Sequence, residues 1–95
     1  MFDLNNCVQI ESEKDFDAVR NHITVWKKRF SMFRHDVDRI ERIVETHITN
    51  YSIAMVFHRQ THKNKFLEDA QLEIDHINRV LSTVEKLELM ALLAQ

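Results

Sequence analysis

The sequence predicts an all-α protein built as a long antiparallel helical hairpin. Its 95 residues include neither glycine nor proline, although average proteins contain about 7% and 5% of them. Sheet proteins rely on these residues to reverse the chain at turns. Apolar residues also recur at alternating spacings of three and four, which is typical of a coiled-coil seam. We therefore expect a single helical domain over 1–95 that forms a coiled-coil or four-helix-bundle oligomer.

The first predicted elements are a leader over residues 1–11 and a long helix over 12–58, helical from about residue 13. Ser12 and Asp15 have the spacing of a capping box, in which each side chain bonds the backbone of the other residue. From residue 43 onward apolar residues also lie beside the seam, so residues 43–57 should be buried on more than one side. The seam comprises Phe16, Val19, Ile23, Trp26, Phe30, Phe33, Val37, Ile40 and Val44, and the residues beside it are Ile43, Ile48, Ile53, Met55, Val56 and Phe57.

The next predicted elements are a turn over 59–65 and a second helix over about 66–93. Residues 58–65 contain no aliphatic or aromatic side chain. The apolar stripe that follows them is out of phase with the first seam, so the two stripes face each other only if the chain folds back. No glycine marks this turn, and Asn64 is the candidate for a left-handed residue.

The hairpin geometry predicts an uncovered apolar stripe at the start of the long helix. The second helix reaches back only to about Phe30, which leaves the first helix an overhang of about 20 Å at 1.5 Å per residue. We expect another chain to cover it, because exposed apolar stripes promote association. Two alternatives remain open: the leader folds back over the stripe, or the long helix breaks near Ser31 into a three-helix bundle. The predicted oligomer interface comprises Phe16, Val19, Ile23, Trp26, Phe30 and Phe33.

Charge is segregated along the chain. Residues 1–17, 18–65 and 66–95 carry net charges of −4, +6 and −4. This order favours antiparallel self-association, because opposite potentials attract. The alternative is a basic surface for nucleic acid, although a pI of about 6.3 lies below that of typical nucleic-acid binders. The candidate nucleic-acid residues are Lys27, Lys28, Arg29, Arg34, Arg59, Lys63 and Lys65.

A candidate metal site comprises His47, Glu73 and His76. Glu73 and His76 are three residues apart, so they share one helix face, as in carboxylate-bridged metal bundles. The hairpin would bring His47 close to His76 and Tyr51 close to Glu73. The alternative is a polar core layer of His47, Tyr51 and Glu73 that holds no ion. His58 and His62 are four residues apart, but the neighbouring basic side chains would repel a cation.

The sequence contains no phosphate-binding loop, nucleophile elbow or catalytic triad. Cys7 is the single cysteine, so no intramolecular disulfide forms and a reducing cytoplasm is the expected location. Neither a secretory signal nor a membrane span is expected. We expect a non-enzymatic interaction module, such as an adaptor, assembly factor or regulator, without a cofactor. Its expected partners are another copy of this chain and a further protein; a metal-binding bundle and a nucleic-acid-associated protein are the alternatives.

Overall fold

The computed structural model describes residues 10–84, 89–90 and 93. All regular structure among these residues is helical, which confirms the all-α class. The helices are α1 (Phe16–Arg29), α2 (Arg34–Thr61) and α3 (Asn64–Leu81). Short 3-10 turns, Glu13–Asp15 and Ser31–Phe33, precede α1 and α2.

The predicted capping box is confirmed at the 3-10 turn Glu13–Asp15, which leads into α1. Ser12 Oγ accepts a hydrogen bond from the Lys14 backbone N–H at 3.3 Å, and Asp15 Oδ2 accepts one from the Ser12 N–H at 3.4 Å. The Glu11 N–H also donates to Asp15 Oδ2, at 2.9 Å. Backbone donors that precede the helix are therefore satisfied by side chains, and helical structure begins at Glu13 as predicted.

The prediction of one helix over 12–58 is wrong, because the chain breaks at residues 30–33. Phe30 (φ −106°, ψ 45°) and Phe33 (φ −115°, ψ 35°) leave the α-helical conformation. The reversal lays α1 antiparallel to α2 and leaves Phe16, Ile23 and Trp26 only 7%, 1% and 0% exposed. Burial of each such side chain contributes about 1.5–3 kcal/mol, which outweighs a few helical hydrogen bonds of about 1 kcal/mol each. The alternative break near Ser31 is therefore the one that this chain adopts.

The turn between α2 and α3 is shorter than the predicted 59–65. Only His62 and Lys63 lie between the two helices. His62 adopts the left-handed conformation (φ 57°, ψ 23°), so the assignment of Asn64 to that role is wrong. The His62 N–H donates to the His58 carbonyl at 2.7 Å and closes α2, whereas Asn64 is already the first residue of α3.

The second predicted helix, 66–93, is interrupted after Leu81. Ser82 and Thr83 form a turn, and their hydroxyls donate to the carbonyls of Arg79 and Val80 at 2.6 and 2.7 Å. Such side-chain bonds offer the backbone an alternative to helical pairing. Most of the remaining part of this predicted helix, and most of the predicted leader, lie outside the described residues.

The core lies between α2 and its two neighbours, and α1 covers only part of α2. Phe16, the first residue of α1, packs edge-to-face against Tyr51 with ring centroids 5.2 Å apart. Residues 52–61 of α2 therefore extend beyond α1, by about 15 Å. The described part of the chain is a three-helix bundle at one end and a two-helix hairpin at the other. We call residues 52–72 the hairpin tip.

Candidate functional site

The three predicted metal ligands lie together between α2 and α3. His47 projects from α2, and Glu73 and His76 project from neighbouring turns of α3. One donor atom from each residue lies within 4.8 Å of the other two. His47 Nδ1 is 2.5 Å from Glu73 Oε2, and His76 Nδ1 is 4.0 Å from the same oxygen. The folded hairpin thus brings together every residue of this predicted set.

The local sequence explains why these side chains meet. His47 precedes the buried Ile48 on α2, and on α3 the pair Glu73 and His76 alternates with the buried Ile74 and Ile77. Burial of the isoleucines sets the rotation of both helices. The polar neighbours are then held at the edge of the helix interface, where the side chains of His47, Glu73 and His76 are 22%, 20% and 43% exposed.

The His76 ring is not fully satisfied by protein groups. Its Nδ1 atom is buried and has no hydrogen-bond partner among the described residues, although the ring itself is partly exposed. The ring centroids of His47 and His76 are 5.0 Å apart. Buried polar atoms are almost always hydrogen-bonded or ligated, so this nitrogen points to a further ligand at the cluster.

Tyr51 does not join this cluster. No hydrogen bond among the described residues links it to Glu73, and its ring packs against Phe16 on the α1 side of α2. Burial raises the pKa of the Tyr51 hydroxyl above its ordinary value of 10.0, and the nearby Glu13 carboxylate raises it further. The predicted polar layer of His47, Tyr51 and Glu73 is therefore not formed as one unit, because His47 bonds Glu73 of α3 whereas Tyr51 packs against Phe16 of α1.

A groove of about 400 Å³ between α2 and α3 opens next to the cluster. Its lining is polar at the histidine end and becomes apolar toward the turn, where the rings of Phe57 and Phe66 stack with centroids 5.4 Å apart. The lining residues are Asn50, Ile53, Ala54, Phe57, Phe66, Asp69, Leu72, Glu73 and His76.

An exposed apolar surface surrounds the groove on the hairpin tip. Ile53, Val56, Phe57 and Leu72 are 50%, 41%, 46% and 53% exposed, and Phe66 is half-buried. We call these five residues the tip patch. The prediction that residues 43–57 are buried on more than one side is wrong for Ile53, Val56 and Phe57, because α1 begins at Phe16, opposite Tyr51, and does not reach them. The sequence did not predict that Leu72 and Phe66 belong to a surface patch. Their exposure depends on which face of α3 is left uncovered by the rest of the fold.

The residues predicted to form the oligomer interface lie in or against the core of the chain and not in the tip patch. Phe16, Val19, Ile23, Trp26 and Phe30 are 7% exposed or less within the chain, and Phe33 is partly buried against the same core. The premise of an uncovered overhang is wrong, because α1 folds back onto α2 instead of continuing beyond the second helix.

The two basic clusters do not form one surface. Lys27 donates to Glu41 at 2.9 Å and lies 3.9 Å from Asp38, and the Arg29 guanidinium lies over the Phe30 ring. The cluster of Arg59, Lys63 and Lys65 lies at the other end of α2, where Arg59 is about 38 Å along the helix from Arg34. The exposed pair Lys28 and Arg34 adjoins the break at 30–33.

The remaining candidates from the sequence are the His58–His62 pair and Cys7. The rings of His58 and His62 meet edge-on with centroids 6.5 Å apart near the turn, and neither belongs to a group of three metal-ligating residues among those described. Cys7 lies outside the described residues.

Comparisons of the chain with protein-family models, with curated proteins and with solved structures find no match. None of the helices in the described part of the chain combines the length and the hydropathy that crossing a membrane requires.

Proposed function

We propose that this protein is a non-enzymatic helical interaction module that self-associates through the tip patch. The observation that carries the proposal is the exposure of Ile53, Val56, Phe57 and Leu72 at 41–53% on one contiguous surface. Together with Phe66 these side chains present on the order of 400 Å² of apolar surface, within the size range at which such patches are often functional. The patch replaces the α1 stripe as the candidate interface.

The shape of the hairpin tip favours a second copy of this chain as the partner. Where α1 is present, α2 has helices on two sides; at the tip, among the described residues, only α3 lies beside it. Two tips packed against each other would supply the missing helices and form a four-helix arrangement, with apolar side chains of both copies in the centre. A symmetric contact of this kind uses the same patch on both partners.

Charge on the tip supports the same arrangement. Arg59, Lys63 and Lys65 make the turn end basic, and Glu68 and Asp69, with Asp75 just beyond the tip, make the exposed side of α3 acidic. In an antiparallel pairing the basic end of each copy lies near the acidic residues of the other, and the opposite potentials favour that register.

The test is sedimentation equilibrium of the wild type over a wide concentration range, beside Phe57→Asp and Val25→Asp. Val25 is 49% exposed on α1, outside the tip patch, so it is a matched control. We expect a concentration-dependent dimer for the wild type and Val25→Asp, and a helical monomer for Phe57→Asp. A wild type that stays monomeric at hundreds of micromolar would refute self-association. Association that Phe57→Asp leaves intact while it remains folded would place the interface elsewhere.

A further inference from the structure

We infer that His47, Glu73 and His76 bind a divalent transition-metal ion, with Zn²⁺ as the ion that the donor set fits best. Two imidazoles and one carboxylate suit zinc, whereas Ca²⁺ and Mg²⁺ take six or more ligands that are mainly oxygen. The inference is independent of the proposed self-association, because all three ligands come from one chain.

The distances are close to those of a metal centre. In tetrahedral zinc with bonds of about 2.0–2.1 Å, ligand atoms stand about 3.3 Å apart. His47 Nδ1 and His76 Nδ1 lie 2.5 and 4.0 Å from Glu73 Oε2, on either side of that value, and all three donors fall within 4.8 Å. Small side-chain rotations would bring both histidine nitrogens to that separation from Glu73 Oε2.

The buried Nδ1 atom of His76 distinguishes a metal site from a polar contact. A polar layer accounts for His47 and Glu73, which hydrogen-bond to each other, but it leaves this nitrogen without a partner among the described residues. A metal ion shared with Glu73 Oε2 satisfies it, because an unprotonated imidazole nitrogen is a metal ligand.

Charge and access are compatible with a cation at this position. Glu73 supplies one negative charge to the site, and Asp69 lies one turn away on α3 in the lining of the same groove. The basic residues of the turn lie at the far end of the tip from this site, whereas they adjoin His58 and His62. The groove gives an ion a path from solvent and room for water as a fourth ligand.

Bound metal would join α2 to α3, since His47 and the Glu73–His76 pair lie on different helices. A ligand that binds only the folded state raises its stability in proportion to the logarithm of ligand concentration. We therefore expect the melting temperature of the metal-stripped wild type to rise with added Zn²⁺, and the rise to be lost when a ligand is removed.

The test is titration of metal-stripped protein with Zn²⁺ by calorimetry, and with Co²⁺ by visible absorption, whose intensity separates tetrahedral from octahedral coordination. We expect one ion per chain, and at least tenfold weaker binding in each of His47→Gln, Glu73→Gln and His76→Gln. His35→Gln, which changes an exposed histidine on α2, serves as the matched control and should bind like the wild type.

A double variant tests the rival site formed by His58 and His62. Binding that survives in the three ligand variants but is lost in His58→Gln/His62→Gln would overturn the assignment, as would a wild type that takes up no stoichiometric ion. Circular dichroism of each variant establishes that it is folded. Oligomeric state measured on the same samples separates the outcomes: zinc binding by a monomer refutes self-association alone, and a metal-free dimer refutes the metal site alone.

Discussion

Asn78 on α3 holds the backbone of Ile10 through both atoms of its side-chain amide. The Ile10 N–H donates to Asn78 Oδ1 at 2.6 Å, and Asn78 Nδ2 donates to the Ile10 carbonyl at 3.0 Å. Ile10 itself is 4% exposed and belongs to the core. The end of the predicted leader is thus tied to α3, at a residue 68 positions later in the chain.

Asn78→Ala is expected to destabilise the fold by about 1–2 kcal/mol, because it leaves two backbone groups of a partly buried segment without partners. Urea unfolding measures the change, and hydrogen exchange of the Ile10 amide should accelerate. Asn21→Ala, at an exposed position of α1, is the control and should be neutral or slightly stabilising, since alanine favours helix. Equal effects of the two substitutions would show that the Ile10 contact contributes nothing.

The burial of Trp26 provides a test of whether α1 packs within its own chain. The indole is 0% exposed within one chain, so its fluorescence should remain blue-shifted when the protein is diluted to a monomer. Trp26→Ala should cost about 3–5 kcal/mol of unfolding free energy, as large core deletions do. Met32→Ala, which changes a residue 72% exposed beside the break, should cost little. An emission maximum that shifts to the red on dilution would restore the intermolecular role predicted from the sequence.

The Arg20–Glu45 pair makes the contact between α1 and α2 sensitive to pH. Arg20 Nε donates to Glu45 Oε1 at 2.7 Å, and Nη2 donates to Oε2 at 3.1 Å. These bonds lower the pKa of Glu45 below its ordinary 4.5 and raise that of Arg20, while burial opposes both shifts. A carboxyl with a lowered folded-state pKa adds stability above its unfolded pKa, and that stability disappears as the pH falls through the lowered value.

Glu45→Gln should therefore cost below about 1 kcal/mol at neutral pH, because the pair is partly exposed and screened by solvent. The difference from wild type should shrink below pH 4.5 and with added salt. Urea unfolding at a series of pH values provides the measurement, and the exposed Glu68→Gln is the control. A difference that persists in strong acid would rule out the ionised pair as its source.

His62 adopts an unfavourable backbone conformation at the turn. Its φ is 57°, and this left-handed conformation costs a residue with a β-carbon about 1–2 kcal/mol. His62→Gly should stabilise the fold by about 0.5–1 kcal/mol, after the greater entropy of glycine in the unfolded chain is allowed for. Arg42→Gly, at an exposed site within α2, should instead destabilise by about 1 kcal/mol. Thermal and urea unfolding distinguish the opposite signs, and destabilisation by His62→Gly would contradict the assignment.

Local sequence rules predicted the parts of this fold that depend on neighbouring residues. The Ser12 and Asp15 capping box, the reversal between residues 58 and 65, and the meeting of His47 with His76 follow from short spacings and from helix phase. The end of α3 at Leu81 and the left-handed His62 did not, because hydroxyl bonds to the backbone and turn strain are small terms that several residue types satisfy equally well.

Helix periodicity alone predicted that the chain is helical, where its main turn lies and that His47 meets Glu73 and His76 across the hairpin. What covers the α1 stripe follows from the tertiary packing and not from periodicity. Periodicity continues unchanged through Phe30 and Phe33, so it cannot distinguish a straight helix from one that folds back. The choice depends on the apolar area that the reversal buries, which moves Trp26 into the core and leaves Phe57 on the surface.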